Sequence, residues 1–214
     1  MLLTMWLSLA LMPLACRDRH LPDNRSAAPA DTMLTADAGA VERLKPGDLD
    51  VLLVGHDIAD AVCSVSSVLD GNEQRYGAAH LVDRDPHTVW AVRNGVGERI
   101  TLRLHAPEEV CGLYIVGGYA KSRALWSDNN RLQSMRLTVY AHGSHSDYDI
   151  TIPDDPDFSH FDAQLWGQYL PLPHRPMVDS IHAFITSVYS GKEYNDLCIT
   201  TFELVTRITS EEPE

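Results

Sequence analysis

Two carboxylates one residue apart, Asp83 and Asp85, stand in a dense turn cluster, Asp83-Arg84-Asp85-Pro86-His87-Thr88, that leads to Trp90. Carboxylates so placed either accept neighbouring backbone N–H groups or, with the Thr88 hydroxyl and nearby carbonyls, hold a hard cation. Pro86 fixes the turn, and Trp90 is an anchor for the core. A second group carries different chemistry. Trp126, Asn129, Asn130 and Arg131 follow one another closely, with Tyr119 and Lys121 just before them, and Tyr189, Lys192 and Tyr194 form another aromatic and polar run near the end. A sugar is recognised by a flat aromatic face under its C–H surface and by amide, carboxylate or guanidinium groups on its hydroxyls, most often from loops. Both runs offer that combination. The competing reading makes Asn130 and Arg131 turn residues and makes Tyr119 and Tyr194 plugs for the end of the fold.

Catalysis finds little support. The chain has no Gly-x-Ser-x-Gly elbow, His-Glu-x-x-His pair, P-loop or Cys-x-x-Cys, the arrangements that activate nucleophiles, zinc or phosphates. His142 and His145 sit in the polar turn Ala141 to Asp147, where zinc would need further ligands at matched spacing. Asp154 and Asp155 belong to a Pro-rich acidic stretch that reads as a solvated loop.

The elements that must position these side chains are strands. Glu98 to Leu104 alternates polar and apolar, with Ile100, Leu102 and Leu104 on one face, and Leu132 to Tyr140 alternates again. Val110 to Val116, Met177 to Val188 and Leu197 to Val205 are further strand candidates, while Tyr148 to Ile152 and Gln164 to Leu170 are weaker ones. A helical turn is expected within Arg75 to Val82, and Gly55-His56-Asp57 reads as a turn. Seven or eight short strands without βαβ alternation predict a β-sandwich or jelly roll. Trp90 and Trp166 lie in or beside strand-like runs and are expected in its core.

The 214 residues are enough for one substantial domain. A formal net charge of -13 repels nucleic-acid backbones and anionic lipid headgroups, so nucleic acid is not an expected partner and contact with a membrane is expected only through a lipid anchor. Met1 to Ala15 contains no Asp, Glu, Lys or Arg and is dominated by Leu, Met, Trp and Ala. That is an export-signal composition, too short to span a bilayer. It ends at Leu14-Ala15-Cys16, a small residue before Cys that resembles a bacterial lipoprotein processing site, with Cys16 as the lipidated amino terminus. Pro13 and the lack of a preceding cation depart from that pattern, and ordinary cleavage nearby is the other reading. The expected organisation is a signal segment over 1–16, a flexible linker over 17–48, a sandwich domain over 49–208 and an acidic tail over 209–214. Cys63, Cys111 and Cys198 remain in the oxidising compartment this implies; a Cys63–Cys198 staple and three small buried hydrophobes are equal alternatives.

The turn cluster from Ala79 to Trp90 resembles the loop of discoidin-like domains, also called coagulation-factor C-type or galactose-binding-like domains, with its Asp-x-Asp-x-x-Thr-x-Trp pattern. Further residues are similar to a narrower branch, the NADase-type glycan-binding domain. They are Ser66-Ser67 and Tyr76, Gly95 to Leu102, Gly118 to Ser122, Asn129-Asn130-Arg131, and Ser187 to Ile199. The resemblance spans about Ser64 to Phe202. It implies an all-β, galactose-binding-like jelly-roll sandwich with no chemistry of its own, attached to exported proteins and binding glycans or other surface ligands. It also implies a calcium site where an acid from the last motif meets the Asp-rich loop. Here Thr201 stands where that acid is expected, and Glu203, two residues on, is displaced by about 7 Å along a strand. A weak calcium site on Asp83, Asp85 and Thr88 and a hydrogen-bonded structural turn are therefore both expected possibilities, and no cofactor is required. The leading expectation is an exported glycan- or surface-ligand-binding module. Its rival is a protein-interaction subunit of an envelope complex that lacks sugar binding.

Overall fold

The computed structural model describes residues 56–152, 154 and 167–208. The expected signal, linker and tail, with Cys16 and Trp166, lie outside the described residues. So does the first part of the Gln164 to Leu170 strand.

Eleven strands and two short helices make up the described fold. In chain order the strands are β1 His56–Ile58, β2 Ala61–Val65, β3 Trp90–Arg93, β4 Arg99–Glu109, β5 Gly112–Val116, β6 Arg131–Ala141, β7 Ser144–Thr151, β8 Gln168–Pro171, β9 Met177–Tyr189, β10 Asp196–Ile199 and β11 Thr201–Ile208. The helices are α1 Glu73–Tyr76 and α2 Arg123–Asp128, and 3-10 turns flank α1 at Leu69–Gly71 and Ala78–Leu81. Strands β2-β4-β9-β6-β7 form one sheet, β1-β11-β5-β8 a second, and β10-β3 a short ribbon. Every paired strand runs antiparallel to its neighbour.

The alternation along the chain becomes burial. Ile100, Leu102 and Leu104 of β4 and Ile181, Ala183 and Ile185 of β9 face inward and meet Leu113 and Ile115 of β5 and Phe202 and Leu204 of β11 in one core. Burying each such side chain contributes about 1.5–3 kcal/mol. Trp90 lies fully inside this core, as its position after the turn cluster requires, and its indole N–H donates to the Ser67 carbonyl at 3.0 Å. β6 and β7 join through His142 and Gly143, both at positive φ, the left-handed pair that matches the twist of a two-residue hairpin.

Three local expectations change. Of the turn expected at Gly55-His56-Asp57, the two described residues are in a strand instead: His56 and Asp57 pair with Ile208 and Arg207, closing the first strand onto the last. Leu197 to Val205 is two strands rather than one, because the chain changes sheet at Thr200. Cys63, Cys111 and Cys198 are free thiols, with Cys63 and Cys198 on different sheets, so the staple is not formed. Burial pushes the Cys63 and Cys198 thiols up to about 12.

Candidate functional site

The loops after β2, β5 and β9 are tied together by hydrogen bonds at one end of the sandwich. Asn130 is the knot. Its side-chain carbonyl accepts from Gly191 N at 2.8 Å, and its amide donates to Asn195 Oδ1 at 2.9 Å. Its backbone N–H donates to the Asp196 carbonyl, and its carbonyl accepts from Cys198 N. With each of its four polar groups engaged and only 2% exposure, Asn130 presents no exposed group to a ligand.

Its neighbours are similarly engaged. Helix α2 is capped at its start by Ser122, whose hydroxyl accepts from Leu125 N, and at its end by Asn129, whose amide donates to the Leu125 carbonyl at 2.8 Å. Arg131 completes the end of α2: Nη1 donates to the carbonyls of Trp126 and Asn129, while Nε and Nη2 hold Asp154 as a bidentate pair at 3.0 and 2.9 Å. Trp126 is 4% exposed and packs with Tyr114, Val116 and Val205. A side chain at Gly118 would come within 2.5 Å of the Trp126 ring, so the missing Cβ there is what lets the loop lie on the indole. These placements correct the expectation for four residues. Trp126, Asn129, Asn130 and Arg131 build the loop end from beneath rather than presenting a face or free donors to a ligand.

Tyr189 is also half committed, its hydroxyl donating to the Ile152 carbonyl at 3.0 Å. Tyr194 is 55% exposed, held by its backbone N–H on the Asp128 carbonyl. Tyr119 and Lys121 sit in a different setting. The Thr200 hydroxyl accepts from Ala120 N at 3.0 Å and donates to the Gly118 carbonyl at 2.7 Å, fixing the segment that carries both residues. Tyr119, Tyr76 and Leu69 pack against a cluster of Val89, just before β3, with Ala91 and Cys198 of the β3–β10 ribbon, and the Tyr119 hydroxyl donates to the His87 carbonyl at 3.3 Å. Burial first, then the neighbouring Cys198 and Tyr76, hold its phenol above the usual range. The Arg75 guanidinium lies 5.0 Å from the Tyr76 ring centroid. Two half-buried tyrosines thus share one platform, with Arg75 and His87 in contact with it and the exposed Lys121 two residues along the chain from Tyr119. Arg75, Tyr76 and His87 were not singled out as binding residues; Tyr76 joins Tyr119 here only because α1 folds back onto the ribbon.

The Asp-rich loop closes on itself. Asp83 Oδ1 accepts from Asp85 N at 2.9 Å, the Thr88 hydroxyl lies 3.0 and 2.8 Å from the two Asp83 carboxylate oxygens, and His80 Nδ1 lies 2.9 Å from Oδ2. Asp85 accepts from His87 N and His87 Nδ1, and these bonds lower its pKa. Arg84, at φ +58°, turns its Nε to within 3.4 Å of Glu203 Oε1. Glu203 therefore does reach this loop: it lies on the outer face of β11, opposite Phe202 and Leu204, and the long Arg84 side chain closes the distance. The positive charge beside these acids is a guanidinium, and Thr88 points its hydroxyl at Asp83. Among the described residues no three His, Cys, Asp or Glu side chains are grouped to hold a metal, and the oxygens of Asp83 and Asp85 are engaged by donors of their own loop.

An antiparallel two-sheet sandwich with its tied loops gathered at one end defines a jelly-roll class, and solved structures share it. The F5/8 type C domain of a Bacteroides fragilis protein superposes with a TM-score of 0.52 at 18% identity, covering 70% of this chain and 93% of that one. The family 32 carbohydrate-binding module of NanJ from C. perfringens, solved in complex with galactose, superposes with a TM-score of 0.50 at 12% identity, covering 68% of this chain and 93% of that one. No curated protein sequence matches. The family model described as the NAD glycohydrolase translocation F5/8 type C domain matches residues 55–205. The chain belongs to that family, as the order of motifs from Ser64 to Phe202 implied.

Proposed function

We propose that this chain is an exported binding module that recognises glycans without turnover, through the loop end where Tyr76 and Tyr119 lie. The observation that carries the reading is that both half-buried rings pack on the same cluster at the β3–β10 ribbon, with Arg75 over Tyr76 and His87 bonded to Tyr119, and with the exposed Lys121 two residues after Tyr119. Aromatic faces for the C–H surface and charged or hydrogen-bonding groups for hydroxyls are the two parts a sugar site needs. The fold supports it as well, since a module of the same architecture holds galactose. Galactose-terminated glycans are the first ligands to test.

Binding proceeds without calcium in this reading, because Arg84 supplies the positive charge beside Asp83 and Glu203. Delivery follows the amino-terminal signal, with Cys16 as the lipid anchor and no other contact with the membrane; among the described residues no helix is long and apolar enough to cross one. A glycan array probed with the chain, in calcium and in chelator, tests the reading. Binding to a defined set of glycans in both conditions supports it. No glycan bound above background would overturn it in favour of a protein-interaction subunit.

A further inference from the structure

The outward face of the five-stranded sheet has a composition that departs from that of a merely solvated surface. The central strand β9 presents Phe184, which remains 39% exposed. In register on either side stand Arg99 of β4 and Arg136 of β6. The Arg99 guanidinium lies over the Phe184 ring, 5.7 Å from its centroid, so cation and aromatic surface stand together in one exposed patch. Further along the same strands the rings of His182 and Tyr140 lie 4.8 Å apart, with Arg103 on β4 in the row of Tyr140.

Charge separates the two halves of this face. Arg136 is taken by Asp149 of β7, at 2.9 and 3.1 Å. Arg99 and Arg103 have no ion pair among the described residues, although the chain as a whole carries a net charge of -13. Four residues apart on one strand, they stand about 13 Å from each other on the same side of the sheet. Two unneutralised guanidinium groups flanking an exposed aromatic strand attract anions. The aromatic surface between them selects an anion with a flat apolar side, and the carboxylates of β7 repel one as densely charged as a nucleic-acid backbone.

We propose that this sheet face is a second binding surface, for a chain of uronic acid residues. A pyranose ring lies on Phe184, and carboxylates of the sugar meet Arg99 and Arg103 through charge-assisted hydrogen bonds. The site is separate from the Tyr76–Tyr119 platform and does not rest on it.

The probe is a homogalacturonan hexasaccharide, titrated calorimetrically and by amide shift mapping into the chain, with its methyl-esterified form as the uncharged control. The acid form is expected to bind, to shift the amides of Thr101, His182 and Phe184, and to weaken as salt is raised. The Arg99→Gln/Arg103→Gln double variant is expected to lose at least about tenfold in affinity, and Phe184→Ser to lose affinity for the acid form as well. All three positions face solvent, so an unchanged thermal midpoint shows that the fold is kept. Tyr76→Ala, at the other site, is expected to bind the acid form as tightly as the parent chain. Equal binding of the esterified form, full affinity in the double variant, shifts confined to the Tyr76–Tyr119 loops, or tighter binding of duplex DNA than of the uronate would each overturn the proposal.

Discussion

Glu203, almost wholly enclosed on the outer face of β11, has Arg84 Nε 3.4 Å from its carboxylate, and that guanidinium comes from the loop after β2. Burial pushes the Glu203 carboxyl up from 4.5 to about 7; Arg84 opposes the shift and Asp83 adds to it. A folded-state value above the unfolded one means that the native chain keeps a proton the unfolded chain releases. The associated stability is full below about 4.5 and is lost as pH rises through about 7. The difference amounts to about 3 kcal/mol. Urea unfolding of the parent chain and of Glu203→Gln across this range is expected to show a fall in the parent that the variant lacks. Parallel pH dependences in the two would show that Glu203 does not titrate there.

Calcium gives a second check on the same pair. A site occupied at one hundred times its dissociation constant stabilises by about 2.7 kcal/mol, which raises the unfolding midpoint by several degrees. With Arg84 in place, calcium and chelator are expected to leave the midpoint of the parent chain where it is. A rise with calcium would show that the loop opens to admit the ion.

Asn130→Ala removes the knot between α2 and the loop after β9. It strands Gly191 N, on a half-buried residue, and Asn195 Oδ1, on an exposed one that water can reach, at about 0.5–1.5 kcal/mol for each lost bond. A loss of about 1–3 kcal/mol is expected in urea unfolding. A loss below about 0.5 kcal/mol would place Asn130 outside the framework.

Gly118→Ala tests the bed on which the Tyr119 segment lies. The new methyl would stand 2.5 Å from the Trp126 ring, and overpacking of this kind costs about 1–3 kcal/mol. The thermal midpoint is expected to fall by several degrees; an unchanged midpoint would mean that Trp126 moves freely.

The sandwich was legible because its signal is local. Ile100, Leu102 and Leu104 alternate along one strand, and alternation survives whatever the strand packs against. The turn after Ala141 was placed but drawn too long: Ser144 to Asp147, read as part of it, already belong to β7. Helix α2 was not, since six residues make fewer than two turns and show no period. The loop end was harder still. Trp126 and Asn130 have the residue types of a sugar platform, and what removes them from it is the absent side chain of Gly118, in the loop before α2, and the position of Gly191, distant along the chain. Glu203 was placed out of reach by counting along β11, because the length and direction of the Arg84 side chain are properties of the folded loop. Burial set by partners far along the chain leaves no pattern in a single segment.

Amide shift mapping with the strongest neutral glycan from the array tests the main reading most directly, with the parent chain and Tyr119→Ala titrated side by side. Shifts grouped around Tyr76, His87, Tyr119 and Lys121, and at least about a tenfold loss of affinity in the variant, are the result the tyrosine platform requires. Shifts centred elsewhere, or equal affinity in the two chains, would contradict it.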